Sequence, residues 1–211
     1  MGELSLDTIY SSIETAVAAM DKPIVIGHSV GGLIAQKLLA AGLVSKAVGI
    51  CSVAPNGMLD FDWGFIKNSA IIANPFKGDE PIFMDAETFH GSFANTLSKD
   101  AATMAFEETA THDSRNVLRD CMGSSGRIGL DRAHAPLLLI GAEKDEIIPA
   151  SLVEKNADAY DDAGGIVDYS EFTGRSHFIC GEPGWEEVAH RVHAWLESNS
   201  TDAIAVGSPR D

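Results

Sequence analysis

Cysteine is scarce in this chain, and the three present, Cys51, Cys121 and Cys180, stand far apart with no Cys-x-x-Cys pair. An odd number at such spacing suggests neither a disulfide framework nor a zinc site, so free thiols in a reducing compartment are expected. Basic residues are scarce too: Lys and Arg number 15 against 31 Asp and Glu, for a formal charge of −16. A surface this acidic repels phosphate backbones and anionic lipid headgroups, which argues against nucleic acid and membrane surfaces as partners. No apolar run approaches the ~20 residues that a bilayer-spanning helix needs, and no basic-then-apolar leader opens the chain. A cytoplasmic location is therefore expected. No cluster of His, Cys, Asp and Glu has metal-ligand spacing, so neither a metal nor a cofactor is expected.

What is present suits one globular unit. The 211 residues can bury a real core, and an apolar fraction of 45% is ordinary for a folded domain. Ser5 or Asp7 can cap a helix running to about Met20, with Leu6, Ile9, Ile13 and Val17 at helical spacing. Pro23 to Ile26 is a short continuous apolar run, the pattern of a strand buried on both faces. A helix follows from Val30 to about Ala41 and ends at Gly42, and "KAVGICSV", Lys46 to Val53, is a second buried strand. Pro136 to Ile140 ("PLLLI") and Ile166 to Phe172 repeat the strand pattern, with helices predicted over about 150–162 and 184–197. In the last of these, Trp185, Val188, Val192, Trp195 and Leu196 are spaced to pack inward. The alternation of strand and helix predicts an α/β fold with a mainly parallel sheet flanked by helices.

The rhythm breaks between Gly57 and Arg127, a stretch richer in aromatic residues with short helical patches and Gly- and Pro-containing breaks. It is expected to be an inserted helical subdomain over 57–127, leaving 1–56 and 128–211 as the core. The plainer possibility is that these helices simply cover one face of the sheet.

Gly27-His28-Ser29-Val30-Gly31 places a serine between a predicted strand and a predicted helix. A Gly-x-Ser-x-Gly motif in that context makes a strained turn that lifts the hydroxyl clear of the sheet. The turn also sets the serine at a helix N-terminus, where the N–H of Val30 can meet a developing oxyanion. A serine at its ordinary pKa needs a base, and the base needs an acid to orient it. Straight after "PLLLI" comes "GAEKDEIIP", with Asp145 at the strand's C-terminal rim and Glu143 and Glu146 as rival carboxylates. After "IVDYSEF" comes "GRSHF", with His177 in the loop between the last strand and the last helix. His190 and His193, three apart on that helix, read as surface residues.

"GHSVGG", "GAEKDEIIP" and "GRSHF", in that order and with these elements between them, resemble the α/β-hydrolase fold of carboxylesterases, lipases and cofactor-free haloperoxidases. The resemblance covers nearly the whole chain, weakest over 57–127, where such families insert a variable cap. It implies Ser29 as nucleophile, His177 as base then acid, Asp145 as orienting carboxylate and Val30 N–H as an oxyanion donor. A Ser rather than an Asp nucleophile argues against haloalkane dehalogenases and epoxide hydrolases of the same fold.

The chain departs from the family in starting just before the elbow, without the strands and the oxyanion loop that usually precede it. This truncated form would leave the strand "PIVIG" with an open edge, so a homodimer covering that edge is expected, with a fragment completed by another polypeptide and a compact monomer as the alternatives. Asn56 is a positional candidate for the missing donor. The activity expected is hydrolysis of a small-molecule carboxylic ester, with short to medium acyl chains. His28, Asn56, Trp63, Phe65, Met84, Phe89 and Phe93 are candidate pocket residues. The same triad serves thioester or carbon–carbon hydrolysis and peracid formation, and a non-catalytic remnant or subunit is the alternative outside enzymes.

Overall fold

The computed structural model describes residues 2–56, 58, 78–161 and 164–199. Its centre is a four-stranded, all-parallel sheet in the order β1 (Ile24–His28), β2 (Lys46–Ile50), β5 (Leu137–Ala142), β6 (Val167–Phe172). Between β2 and β5 the chain also forms a short antiparallel pair, β3 (Ile82–Phe83) with β4 (His112–Asp113). In the sheet Ile24 lies opposite Lys46, Ala47 opposite Leu137, and Leu137 opposite Val167.

Parallel strands need crossovers, and here these are helices. Helix α1 (Leu6–Ala18) is capped by Ser5, whose Oγ accepts from Thr8 N–H at 3.1 Å. Helix α2 (Val30–Ala40) joins β1 to β2 and is followed by Gly42 at φ +70°, a left-handed turn that favours glycine. Between β3 and β5 lie α3 (Ala86–Thr88), running into a π-helical turn at Phe89–Phe93, then α4 (Lys99–Thr109) and α5 (Arg115–Cys121). Helix α6 (Ala150–Asp158) joins β5 to β6, and α7 (Trp185–Ser198) follows β6.

Strand alternation sends successive side chains to opposite faces, and two cores result. Ala47, Leu137 and Leu139 pack with Leu33, Leu38 and Val153 on one side. Val48, Leu138 and Ile140 pack with Val188, Val192 and Trp195 on the other. All four residues from Leu137 to Ile140 are fully buried, so truncating a leucine there costs about 2–5 kcal/mol. The continuous apolar run of β5 thus encodes a strand covered on both faces, as expected.

Two expectations fail. β1 is not buried on both faces: it is an edge strand among the described residues, and Ile24 and Ile26 are 44% and 53% exposed. Trp185 is 48% exposed at the first position of α7, ahead of the turn where the helix meets the sheet. Of the segment 57–127, Val117 and Cys121 of α5 join the first core cluster. Helix α5 is also tied to the chain's beginning, with Asp120 Oδ2 accepting from Leu6 N–H at 2.9 Å and Ser114 Oγ donating to Leu4 O at 2.8 Å. Trp63 and Phe65 lie outside the described residues. No helix among the described residues is long and apolar enough to cross a membrane.

Candidate active site

Ser29 stands at the junction of β1 and α2 with φ 55° and ψ −120°. Positive φ at a non-glycine residue is strained by about 1–3 kcal/mol and persists only where surroundings enforce it. Three backbone bonds do so: Ser29 N–H donates to Ile50 O (3.0 Å), while Ser29 O accepts from Gly32 N–H (3.0 Å) and Val53 N–H (3.1 Å). The glycines matter unequally. A Cβ on Gly27 would lie 2.0 Å from Gly31 O, and one on Gly32 would lie 2.5 Å from Ser52 Oγ, whereas one on Gly31 would meet nothing within 4 Å. Close approach of strand and helix therefore rests on Gly27 and Gly32, not on the second glycine of the motif. Val30 opens α2, so its N–H belongs to the first turn, which the helix ladder leaves without acceptors.

Asp145 and His177 meet from the loops after β5 and β6. Asp145 Oδ1 accepts from the N–H groups of Ile147 and Ile148, both at 2.8 Å, and Oδ2 accepts from His177 Nδ1 at 2.7 Å. His177 is 1% exposed and the Asp145 side chain is fully buried. A carboxylate can only accept, so Nδ1 carries the proton and Nε2 is left with a lone pair, the state a general base requires. The rival carboxylates are exposed; Glu143 accepts from Lys144 Nζ (2.8 Å) and Gly174 N–H (2.7 Å) instead. Ser29 Oγ and His177 Nε2 are not hydrogen-bonded to each other here.

His28 packs against His177 with ring centroids 4.7 Å apart, and its Nε2 lies 2.9 Å from His177 O. A carbonyl only accepts, so His28 holds its proton on Nε2. Burial, then the neighbouring His177, lowers its pKa from 6.5 to about 4, so the ring is neutral at ordinary pH. Phe93 meets both histidines edge-on, with centroids 4.9 Å from His177 and 6.4 Å from His28. Phe89 stacks on Phe93 at 5.1 Å. Asn56 is committed elsewhere: its N–H donates to Gly126 O and its side chain to Gly123 O. Its backbone donor is therefore spent, while the side-chain Nδ2 keeps a second N–H. Met84 is half-buried just past β3.

Several neighbours of the site carry no sequence motif. Cys51, fully buried with φ 44°, sits beside Asp145, and burial followed by that carboxylate pushes its thiol pKa well up. The donor atoms of His28, Cys51 and His177 lie within 4.8 Å of one another and are the residues that could hold a metal. They suit one poorly, because the buried Cys51 thiol resists the deprotonation that ligation requires. Phe178 and Glu182 also crowd the His177 loop.

An elbow serine, a buried acid–histidine pair and a parallel sheet between helices define an α/β hydrolase. The sequence matches the Alpha/beta hydrolase family over residues 2–192, and the chain belongs to that family. Among solved structures, a monoacylglycerol lipase from Paleococcus ferrophilus is similar, with a TM-score of 0.64 and 21% identity over 94% of this chain and 77% of its own. An esterase from Exiguobacterium antarcticum gives 0.64 and 16%, over 92% of this chain and 74% of its own. A bromoperoxidase from Bacillus anthracis gives 0.64 and 17%, over the same shares, 92% and 74%. At these identities the likeness concerns the fold. No match among curated proteins reaches significance.

Proposed function

We propose that this hydrolase cleaves carboxylic esters of short to medium acyl chain through an acyl-enzyme intermediate. The observation that carries the reading is the buried 2.7 Å bond from His177 Nδ1 to Asp145 Oδ2, on the same sheet rim as a serine held in a strained elbow. In this mechanism His177 Nε2 takes the Ser29 proton as Oγ attacks the ester carbonyl. The tetrahedral oxyanion forms against Val30 N–H at the positive end of α2. Collapse breaks the bond to the alcohol, which leaves with the proton from His177. Water, deprotonated by His177, then attacks the acyl-serine, and collapse returns the proton to Ser29 and releases the acid.

Phe93 and Phe89 would give the acyl or alcohol group an apolar wall beside the base, and His28 its polar floor. Residues 57–127 would act as a cap subdomain over a core of 1–56 and 128–211. Among the described residues β1 is an edge strand, with Ile24 and Ile26 about half exposed, which supports association of two copies through that edge, since unpaired strand edges favour pairing. Three free cysteines agree with a cytoplasmic, reducing setting.

The test is a serine-directed fluorophosphonate probe. Mass spectrometry should find one adduct, on Ser29, that is lost in His177→Ala. A folded protein that stays unlabelled would leave this chain a hydrolase-like scaffold without the chemistry.

A further inference from the structure

Within the proposed hydrolytic site, on whose reading this inference rests, we propose that Glu182 is a positioning residue. Its buried carboxylate fixes the loop carrying His177 and couples that loop to the segment 89–97.

Glu182 is only 3% exposed. An ionised carboxylate taken out of water costs several kcal/mol unless it is paired and hydrogen-bonded, so its partners matter. All of them lie on the His177 loop or on the segment after the π-helical turn. Oε1 accepts from Ser176 N–H at 3.2 Å and faces Arg175 Nη1 at 3.9 Å. Oε2 accepts from Ser176 Oγ at 3.1 Å and from Thr96 Oγ1. Ser176 Oγ, so held, accepts in turn from Phe178 N–H at 3.2 Å. The carboxylate therefore grips the residue before the histidine directly and the residue after it through one hydroxyl.

The remaining bonds around His177 close the arrangement. Phe178 N–H also donates to Phe93 O at 2.9 Å, and His177 O accepts from His28. Asn95 Nδ2 donates to Lys144 O at 3.0 Å, next to Asp145. Segment 89–97 thus touches the acid turn through Asn95 and the base loop through Phe93 and Thr96. A displacement of this segment is transmitted to both ends of the Asp145–His177 bond, with Glu182 as the tie on the base side.

Glu182→Gln keeps the size of the side chain but removes the charge facing Arg175 and replaces one accepting oxygen with a donor. Two readouts separate positioning from bulk stability. With a short-chain p-nitrophenyl ester, kcat should fall by about 10²-fold, the order expected for a misplaced catalytic group, while KM moves little; the swap also costs stability, so rates are compared well below the variant's melting temperature. In the free protein, the far-downfield proton resonance of the His177 Nδ1–H bond should broaden or vanish. A folded Glu182→Gln protein with unchanged kcat and an unchanged resonance overturns the proposal. Should that variant fail to fold, Thr96→Val and Ser176→Ala each remove one arm; both should weaken the resonance and lower kcat, and wild-type behaviour in both overturns the proposal. Failure of the hydrolase reading is a separate outcome: wild type would then be inert to ester and to fluorophosphonate, while the resonance would still report whether Glu182 holds His177.

Discussion

His28 donates its Nε2 proton to the backbone carbonyl of His177 at 2.9 Å, so the residue before the elbow serine braces the loop that carries the histidine. Burial and the neighbouring His177 disfavour the charged ring, although the bond itself survives in either form, and the depressed pKa of His28 makes it a source of pH-dependent stability. The folded pKa is about 4 against an ordinary value of 6.5. Between those values the unfolded chain binds more protons than the folded one. The contribution is complete above pH ~6.5, declines as pH falls, and is lost below about 4, an effect on the order of 2 kcal/mol for this partly exposed ring. Urea unfolding of wild type and His28→Gln across this range should show the wild-type curve falling more steeply with acid. Parallel curves would contradict the assignment.

The Asp145–His177 bond sets the tautomer of His177. Asp145→Asn keeps an oxygen for the N–H groups of Ile147 and Ile148, so the turn should survive. Its amide can offer His177 Nδ1 a donor where an acceptor is needed, which favours the tautomer with its proton on Nε2. Turnover of a p-nitrophenyl ester should fall by roughly 10⁴-fold with KM little changed. A loss below tenfold would show that another group orients His177.

The glycines of the elbow make a paired prediction. Gly27→Ala puts a methyl group 2.0 Å from Gly31 O, a clash with backbone that cannot turn aside. Thermal unfolding should show a loss of at least about 1–3 kcal/mol, or no folded protein. Gly31→Ala meets nothing within 4 Å and lies within α2, so its stability should be unchanged or higher by up to about 1 kcal/mol. Equal losses in both would contradict the packing account.

The exposed β1 edge predicts association. Ile26 lines an apolar groove of about 350 Å³ with Ile50, Trp185, Val188, Val192 and Leu196. Sedimentation should show a dimer for wild type and a shift toward monomer for Ile26→Lys, because an edge lysine discourages strand pairing. Monomeric wild type would remove the dimer from the account.

The strands, the helices and the chain order of Ser29, Asp145 and His177 were legible because each is a local signal: an apolar run, a capping serine, a polar residue just past a strand. An open edge at the strand "PIVIG" was expected, but the exposure of its Ile24 and Ile26 face was not, since an apolar run reads the same whether one face is covered or both. The need for Gly32 is not a local signal, because its reason for being small is Ser52, twenty residues on. The commitment of Asn56 to Gly123 and Gly126, and the grip of Glu182 on Ser176 and Thr96, join residues from separate loops. Neither periodicity nor a short motif records such meetings, although a lone acid close behind the histidine was visible in "HFICGE".

The most direct test of the central claim is the hydrolysis of a short-chain p-nitrophenyl ester by wild type beside Ser29→Ala. Wild type should turn over enzymatically and the variant should stay at background, with both equally folded. Equal rates for the two, or background rates for both, would contradict Ser29 as the nucleophile of an ester hydrolase.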